Sequence, residues 1–319
     1  MRPLLPALLP ALLLASCAFA AASHPDFLAA QASPTPLKAS TAPAKSVAEL
    51  RDRLSARIAA QPGAEVGIWF RDLASGDTLA MNSDLSFHAA STMKVPVMIE
   101  LFRRVDAGTL TLDRTLRLQN SFASIVDGSP YTLSASDDSD SLLYKKVGTD
   151  VSLRELNERM ITRSSNLATN ALIELLDPKV VNATAHTLGA SRIDVRRGVE
   201  DNKAFQAGLS NTTTARDLGV LLAGIEAANV ASKASCTAMK DVLMRQEFND
   251  EIPAGLPAGT PVAHKTGWIT GTLHDAAVVY PKTRAPYVLV VLTRKIPDEK
   301  VAGRLIAELS REVYAFATR

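Results

Sequence analysis

Everything in this chain that reads as β-strand lies on one side or the other of a long helical stretch. Val66–Phe70 and Thr78–Met81 are joined around Ser75-Gly76-Asp77, a hairpin signal. The next β-rich runs, Val262–Thr266, Leu273–Tyr280 and Tyr287–Arg294, come only late in the sequence. From about Ser91 to Gln246 the apolar residues recur at helical spacing, and the clearest helices are expected at 92–105, 152–162, 165–176, 213–227 and 232–246. Strands with short connections pair antiparallel. The five runs therefore predict one five-stranded antiparallel sheet, interrupted in sequence by an all-helical insertion, which is an α+β arrangement. Two helices flank it. Ser46 with Glu49 forms a capping-box signal ahead of the stripe Val47, Leu50, Leu54 and Ile58, and a last helix, 299–316, presents Val301, Leu305, Leu309 and Val313. One lobe is expected from 46–90 plus 255–319 and a helical lobe from 91–254, with a cleft at their junction.

Composition removes several classes of function. The 319 residues are 47% hydrophobic with a net charge of +2, too apolar and too balanced for a disordered chain. The same balance argues against a nucleic-acid partner. Two cysteines, Cys17 and Cys236, cannot form a disulfide scaffold, and the five histidines make no HxH or HExxH pair, so no metal or cofactor is expected. Residues 1–20 carry Arg2 and a short, proline-broken apolar stretch, which reads as a secretory signal rather than a membrane span. Two processing readings stand side by side: cleavage after Ala18-Phe19-Ala20, or a Leu14-Ala15-Ser16-Cys17 lipobox with a lipid anchor on Cys17. Residues 21–45, rich in Ala, Ser, Thr and Pro, are expected to be a flexible tether. A monomeric periplasmic protein is the expectation.

Three short motifs carry chemistry. Ser91-Thr92-Met93-Lys94 is the chain's one SxxK; on a helix, positions i and i+3 share a face, so a hydroxyl and an amine can meet. A serine hydroxyl attacks only if a neighbour takes its proton, and a lysine can do so only if burial or a second cation lowers its pKa. Ser164-Ser165-Asn166 stands at a helix start, and Lys265-Thr266-Gly267 ends a strand before Trp268. Each is weak alone: the second could be a plain N-cap and the third a solvated edge.

Taken together, in this order and on these elements, the set resembles the class A β-lactamase branch of the penicillin-recognising serine hydrolases. Arg104-Val105-Asp106-Ala107-Gly108, Leu153-Arg154-Glu155-Leu156 and Leu256-Pro257-Ala258-Gly259 add to the likeness, which covers essentially all of 46–319. The resemblance implies a β-lactamase/transpeptidase-like fold and a small-molecule β-lactam substrate. It implies Ser91 as the acylated nucleophile, Lys94 as its base and Ser164 as the proton relay to the departing nitrogen. Asn166, Lys265, Thr266, Gly267 and Trp268 would bind substrate, with the oxyanion between the Ser91 and Trp268 amides. Glu200 would activate the deacylating water. The loop departs from the family where an asparagine is expected four residues beyond that glutamate: position 204 is Ala, and Asn202 is the substitute on offer. That departure keeps a second activity in view, a D-alanyl-D-alanine peptidase or a slowly deacylating penicillin-binding hydrolase. Three further points stay open at this level. Pro96 looks misplaced in the nucleophile helix; Tyr131, in the Ser- and Asp-rich segment 119–147, is a candidate cleft wall; and Arg245, His264 and His274 are candidates for a cleft cation.

Overall fold

A computed structural model describes residues 42–319. The expected signal segment, the Cys17 readings and the tether up to residue 41 lie outside the described residues. Ser46 caps the first helix, α1 (Val47–Ala59), by accepting the Glu49 amide at 3.1 Å. The Glu49 carboxylate reaches the Lys45 amide instead of the Ser46 amide, so only half of the expected capping box forms. Leu50 and Leu54 of α1 are fully buried, in one apolar cluster with Leu305, Leu309 and Phe316 of the C-terminal helix (Glu299–Ala317).

The five strands are β1 (Glu65–Asp72), β2 (Thr78–Met81), β3 (Val262–Ile269), β4 (Thr272–Val279) and β5 (Tyr287–Arg294). They form one antiparallel sheet in the order β2-β1-β5-β4-β3, so the early hairpin pairs with the last strand: Ile68 faces Val291 and Trp69 faces Val290. The expected α+β fold is what forms. Along β5, Tyr287, Leu289 and Val291 enter the cluster beneath the terminal helices, whereas Val288, Val290 and Leu292 enter the cluster on the opposite face. Burial of β5 on both faces matches its unbroken apolar run, Tyr287–Leu292.

The helical segment comprises α2 (Lys94–Asp106), α3 (Leu153–Thr162), α4 (Asn166–Leu176), α5 (Pro178–Thr187), α6 (Asn202–Gln206), α7 (Ala215–Glu226) and α8 (Lys233–Leu243), and the C-terminal helix is then α9. Helix α5 was not anticipated, because Val-Val-Asn-Ala-Thr is poor helix-forming material. Its start was nevertheless signalled by Asp177-Pro178: the Asp177 carboxylate accepts the Lys179 amide and Pro178 sits in the first turn. Pro96 costs the helix no backbone hydrogen bond. Helix α2 begins at Lys94, after a 3-10 turn at Ala90–Met93, so Pro96 is its third residue, where an amide has no partner within the helix. Among the described residues no helix is long and apolar enough to cross a membrane.

Helix α7 lies across the second face of the sheet, and Gly219 is what lets it approach. A Cβ there would stand 2.0 Å from Cε3 of the buried Trp69 on β1. Gly219→Ala is expected to destabilise the protein by about 1–3 kcal/mol through overpacking. Thermal unfolding followed by circular dichroism should show the drop, whereas an unchanged melting temperature would mean the indole can move aside.

Candidate active site

The Ser91 turn is fixed from both sides. Ala90 has φ of 44°, uncommon for a residue bearing a Cβ. Its amide donates to His88 Nδ1 at 3.0 Å, and Thr92 ties back to the Ala89 carbonyl through its amide at 3.1 Å and its hydroxyl at 2.6 Å. Ser91 remains partly exposed at a cavity of about 310 Å³, lined also by Asn166, Glu200, Asn202, Phe205 and Trp268. Gly267 of β3 packs against this turn: a Cβ there would come within 3.0 Å of both the Ser91 and the Thr92 nitrogens. The nucleophile's own turn therefore leaves no room for a side chain at this position.

Lys94, at the start of α2, is completely buried. Its Nζ donates to the Ser164 carbonyl at 2.6 Å, to Ser164 Oγ at 3.1 Å and to Asn166 Oδ1 at 3.0 Å. Lys265 on β3 is equally buried and donates to Ser164 Oγ at 3.0 Å and to the Thr266 carbonyl at 2.8 Å. Ser164 therefore bridges two buried amines. It can stand there because it takes φ of 57°, one residue outside the cap of α4, while Ser165 performs the capping by accepting the Ala168 amide.

Burial pulls the Lys94 amine well below its ordinary range, and Lys265 pulls the same way, against the opposing charges of Asp138 and Glu200. Lys265 is lowered to about 7, chiefly by burial, with Asp275 and Glu251 favouring its charged form. Two buried amines around one hydroxyl, both held below their ordinary range, make a proton relay physically feasible.

Glu200 sits in a left-handed backbone conformation, φ 63°, in the loop before α6. Its Oε1 accepts from Asn166 Nδ2 at 2.8 Å. Asn166 thus links Lys94 on one side with Glu200 on the other. Burial raises the Glu200 carboxyl, with help from Asp138 and Asp137, against the Asn166 hydrogen bond and the Lys94 charge. Among the described residues Glu200 forms no ion pair with the arginines of its own loop: Arg196 pairs with Asp194, and Arg197 donates to the Leu209 and Gly198 carbonyls. Ala204 is buried, so the side chain at that position lies in the core, while Asn202 and Phe205 line the cavity.

A model of the β-lactamase enzyme family matches residues 49–317. The β-lactamase AST-1 of Nocardia asteroides is 32% identical over 257 residues, spanning 79% of this chain and 78% of its own. The chain belongs to the class A β-lactamase family. Among solved structures, the β-lactamase of Sphaerobacter thermophilus DSM 20745 superposes with a TM-score of 0.72 at 26% identity, covering 86% of this chain and 98% of that one. PBP-A superposes with a TM-score of 0.73 at 29% identity, covering 85% of this chain and 97% of that one.

Of the residues the family resemblance singled out, Ser91, Lys94, Ser164, Asn166, Glu200, Lys265, Thr266, Gly267 and Trp268 converge in this region. Trp268 is 56% exposed at the cavity mouth. The candidates for a cleft cation do not reach it. Arg245 pairs with Glu158, His264 is buried against Asp275, and His274 is buried between the His88 and Leu273 carbonyls. Tyr131 is no cleft wall either: it packs against Phe122 and its hydroxyl accepts from Asn170 Nδ2 at 3.3 Å. Sequence reasoning passed over several residues at or behind this cavity, Phe205 and Asp138 among them. Phe205 lies in the short helix α6 just beyond Glu200, next to position 204, which drew the attention. Asp138 lay in the polar run Asp137-Asp138-Ser139-Asp140, which reads as solvated throughout although Asp138 and Asp140 are both buried.

Proposed function

We propose that this protein hydrolyses the amide of β-lactams through an acyl-enzyme on Ser91. The observation that carries the reading is the Ser164 hydroxyl held between the buried amines of Lys94 and Lys265, with Asn166 joining Lys94 to Glu200. A protonated Lys94 uses all three of its donors, on Ser164 twice and on Asn166 once. The neutral amine has two donors and a lone pair, so one contact opens and the lone pair can take the Ser91 proton, directly or through a water. Ser91 then attacks the lactam carbonyl. The amides of Ser91 and Trp268 receive the oxyanion, each worth roughly 2.7–4 kcal/mol in such a role. Ser164 passes a proton to the departing nitrogen and is resupplied by the amines it touches. Lys265 and Thr266 hold the substrate carboxylate and Asn166 the acylamino group. Glu200 then takes a proton from the water that cleaves the ester. No metal or cofactor enters this sequence. We read 46–90 with 255–319 and 91–254 as the two lobes bounding the cleft, and the protein as a periplasmic monomer exported by its N-terminal segment.

The test uses a chromogenic cephalosporin and intact-mass analysis of the wild-type protein. Sustained turnover with a transient single adduct, mapped by digestion to the peptide carrying Ser91, is the expected result. An adduct that forms once and persists, with cleavage of a peptide ending in D-Ala-D-Ala, would favour the peptidase reading. No adduct and no turnover would remove the hydrolase altogether.

A further inference from the structure

The segment 119–147 sends one carboxylate into the site from behind. Asp138 is 6% exposed, and its Oδ2 accepts the amides of Asn166 and Leu167, each at 2.9 Å, and the Tyr144 hydroxyl at 3.0 Å. Its Oδ1 accepts the Asp140 amide at 3.0 Å. No arginine or lysine forms an ion pair with it among the described residues. The first two amides of α4 would otherwise lack acceptors. Ser165, the middle residue of the motif, satisfies only the third, that of Ala168. The backbone of Asn166 is thus clamped by Asp138, while its side chain holds Lys94 through Oδ1 and Glu200 through Nδ2.

We propose that Asp138 is a positioning residue for both half-reactions, setting Asn166 and, through it, the base of acylation and the base of deacylation. This rests on the acyl-enzyme reading above. Its charge acts along the same line. Glu200 is faced by Asp138, Asp137, Lys94 and Asn166, and Lys94 by Lys265, Asp138, Glu200 and Ser164. The negative charge of Asp138 disfavours ionisation of Glu200 and favours the charged form of Lys94. Removing that charge lowers both pKa values, so each base becomes available at lower pH. The loop also has a purely structural anchor two residues on, where Asp140 pairs with Arg159 at 2.8 Å without touching α4's first amides.

The experiment compares Asp138→Ala, Asp138→Asn and Asp140→Asn with the wild-type enzyme, measuring acylation by rapid mixing, deacylation by intact mass, and the pH profiles of kcat and kcat/KM. Asp138→Ala is expected to slow both steps by about tenfold to a hundredfold, the scale of a small misplacement of reacting groups. Asp138→Asn keeps an acceptor oxygen but not the charge, and should move the acid limb of both profiles to lower pH. Asp140→Asn should lower the melting temperature with rates and limbs retained. If Asp138→Ala does not fold, the limb of Asp138→Asn still decides. Parallel losses in the Asp138 and Asp140 variants, or an unmoved acid limb, would overturn the assignment. A wild-type enzyme that never acylates would instead strike the reading beneath it.

Discussion

Ser91→Ala is expected to abolish the drug adduct and to lower hydrolysis of a chromogenic cephalosporin by a factor on the order of 10⁴ or more, while the protein stays folded. The size follows from the chemistry: without a covalent intermediate, Lys94, Ser164 and Glu200 have no ester to make or break, and groups that act as one unit fail together. Only the binding and oxyanion contributions survive, and a water must attack in place of a fixed hydroxyl. The stability side follows from position. Ser91 is partly exposed, and its hydroxyl makes no hydrogen bond among the described residues, so its loss should change stability by no more than about 0.5 kcal/mol. Rate and melting temperature should therefore separate completely. Turnover within tenfold of the wild type would place the nucleophile elsewhere, and a large stability loss would mean that the turn depends on the hydroxyl in a way its contacts do not account for.

What was legible beforehand divides along physical lines. The sheet could be read because its strands have local β signals, and the unbroken apolar run of β5 fits burial on both faces. The motif residues could be read because reactive chemistry restricts which residue types can serve, and their order carried the family. What stayed hidden were relations between segments far apart in sequence. Nothing local to Asp138 says that it meets the Asn166 amide, twenty-eight positions later, and nothing local to Gly219 says that an indole lies against it. Nothing local to Gly267 says that the Ser91 turn, more than 170 positions earlier in sequence, packs against it. The half-formed capping box at Ser46 shows the same limit on a small scale: the pattern predicts the cap but not which amide the glutamate finds.

Glu200→Gln is expected to convert a turnover enzyme into one that acylates and stops. The substitution keeps the length of the side chain and an oxygen able to accept from Asn166 Nδ2, so the link to Lys94 and the geometry of acylation should persist. What it removes is the ability to take a proton from water. Deacylation should slow by a factor on the order of 10²–10⁴, the usual contribution of a placed general base. A chromogenic cephalosporin should then give a burst of one equivalent per chain, and intact mass should show the adduct persisting as the substrate is consumed no further. The wild-type pH profile adds an independent signature. Burial holds the Glu200 carboxyl above its ordinary range, so the acid limb of kcat, which reports groups in the bound complex, should lie above the usual carboxylate region. Below that limb the carboxyl is protonated and the ester waits; above it the carboxylate is available and turnover resumes. In the glutamine variant that limb should vanish from the residual deacylation, because the group that produced it no longer titrates. If the variant hydrolysed its adduct at the wild-type rate, the base would have to be another group beside the ester. The loop with Ala204 turned inward would then have lost its hydrolytic role despite holding a carboxylate in place.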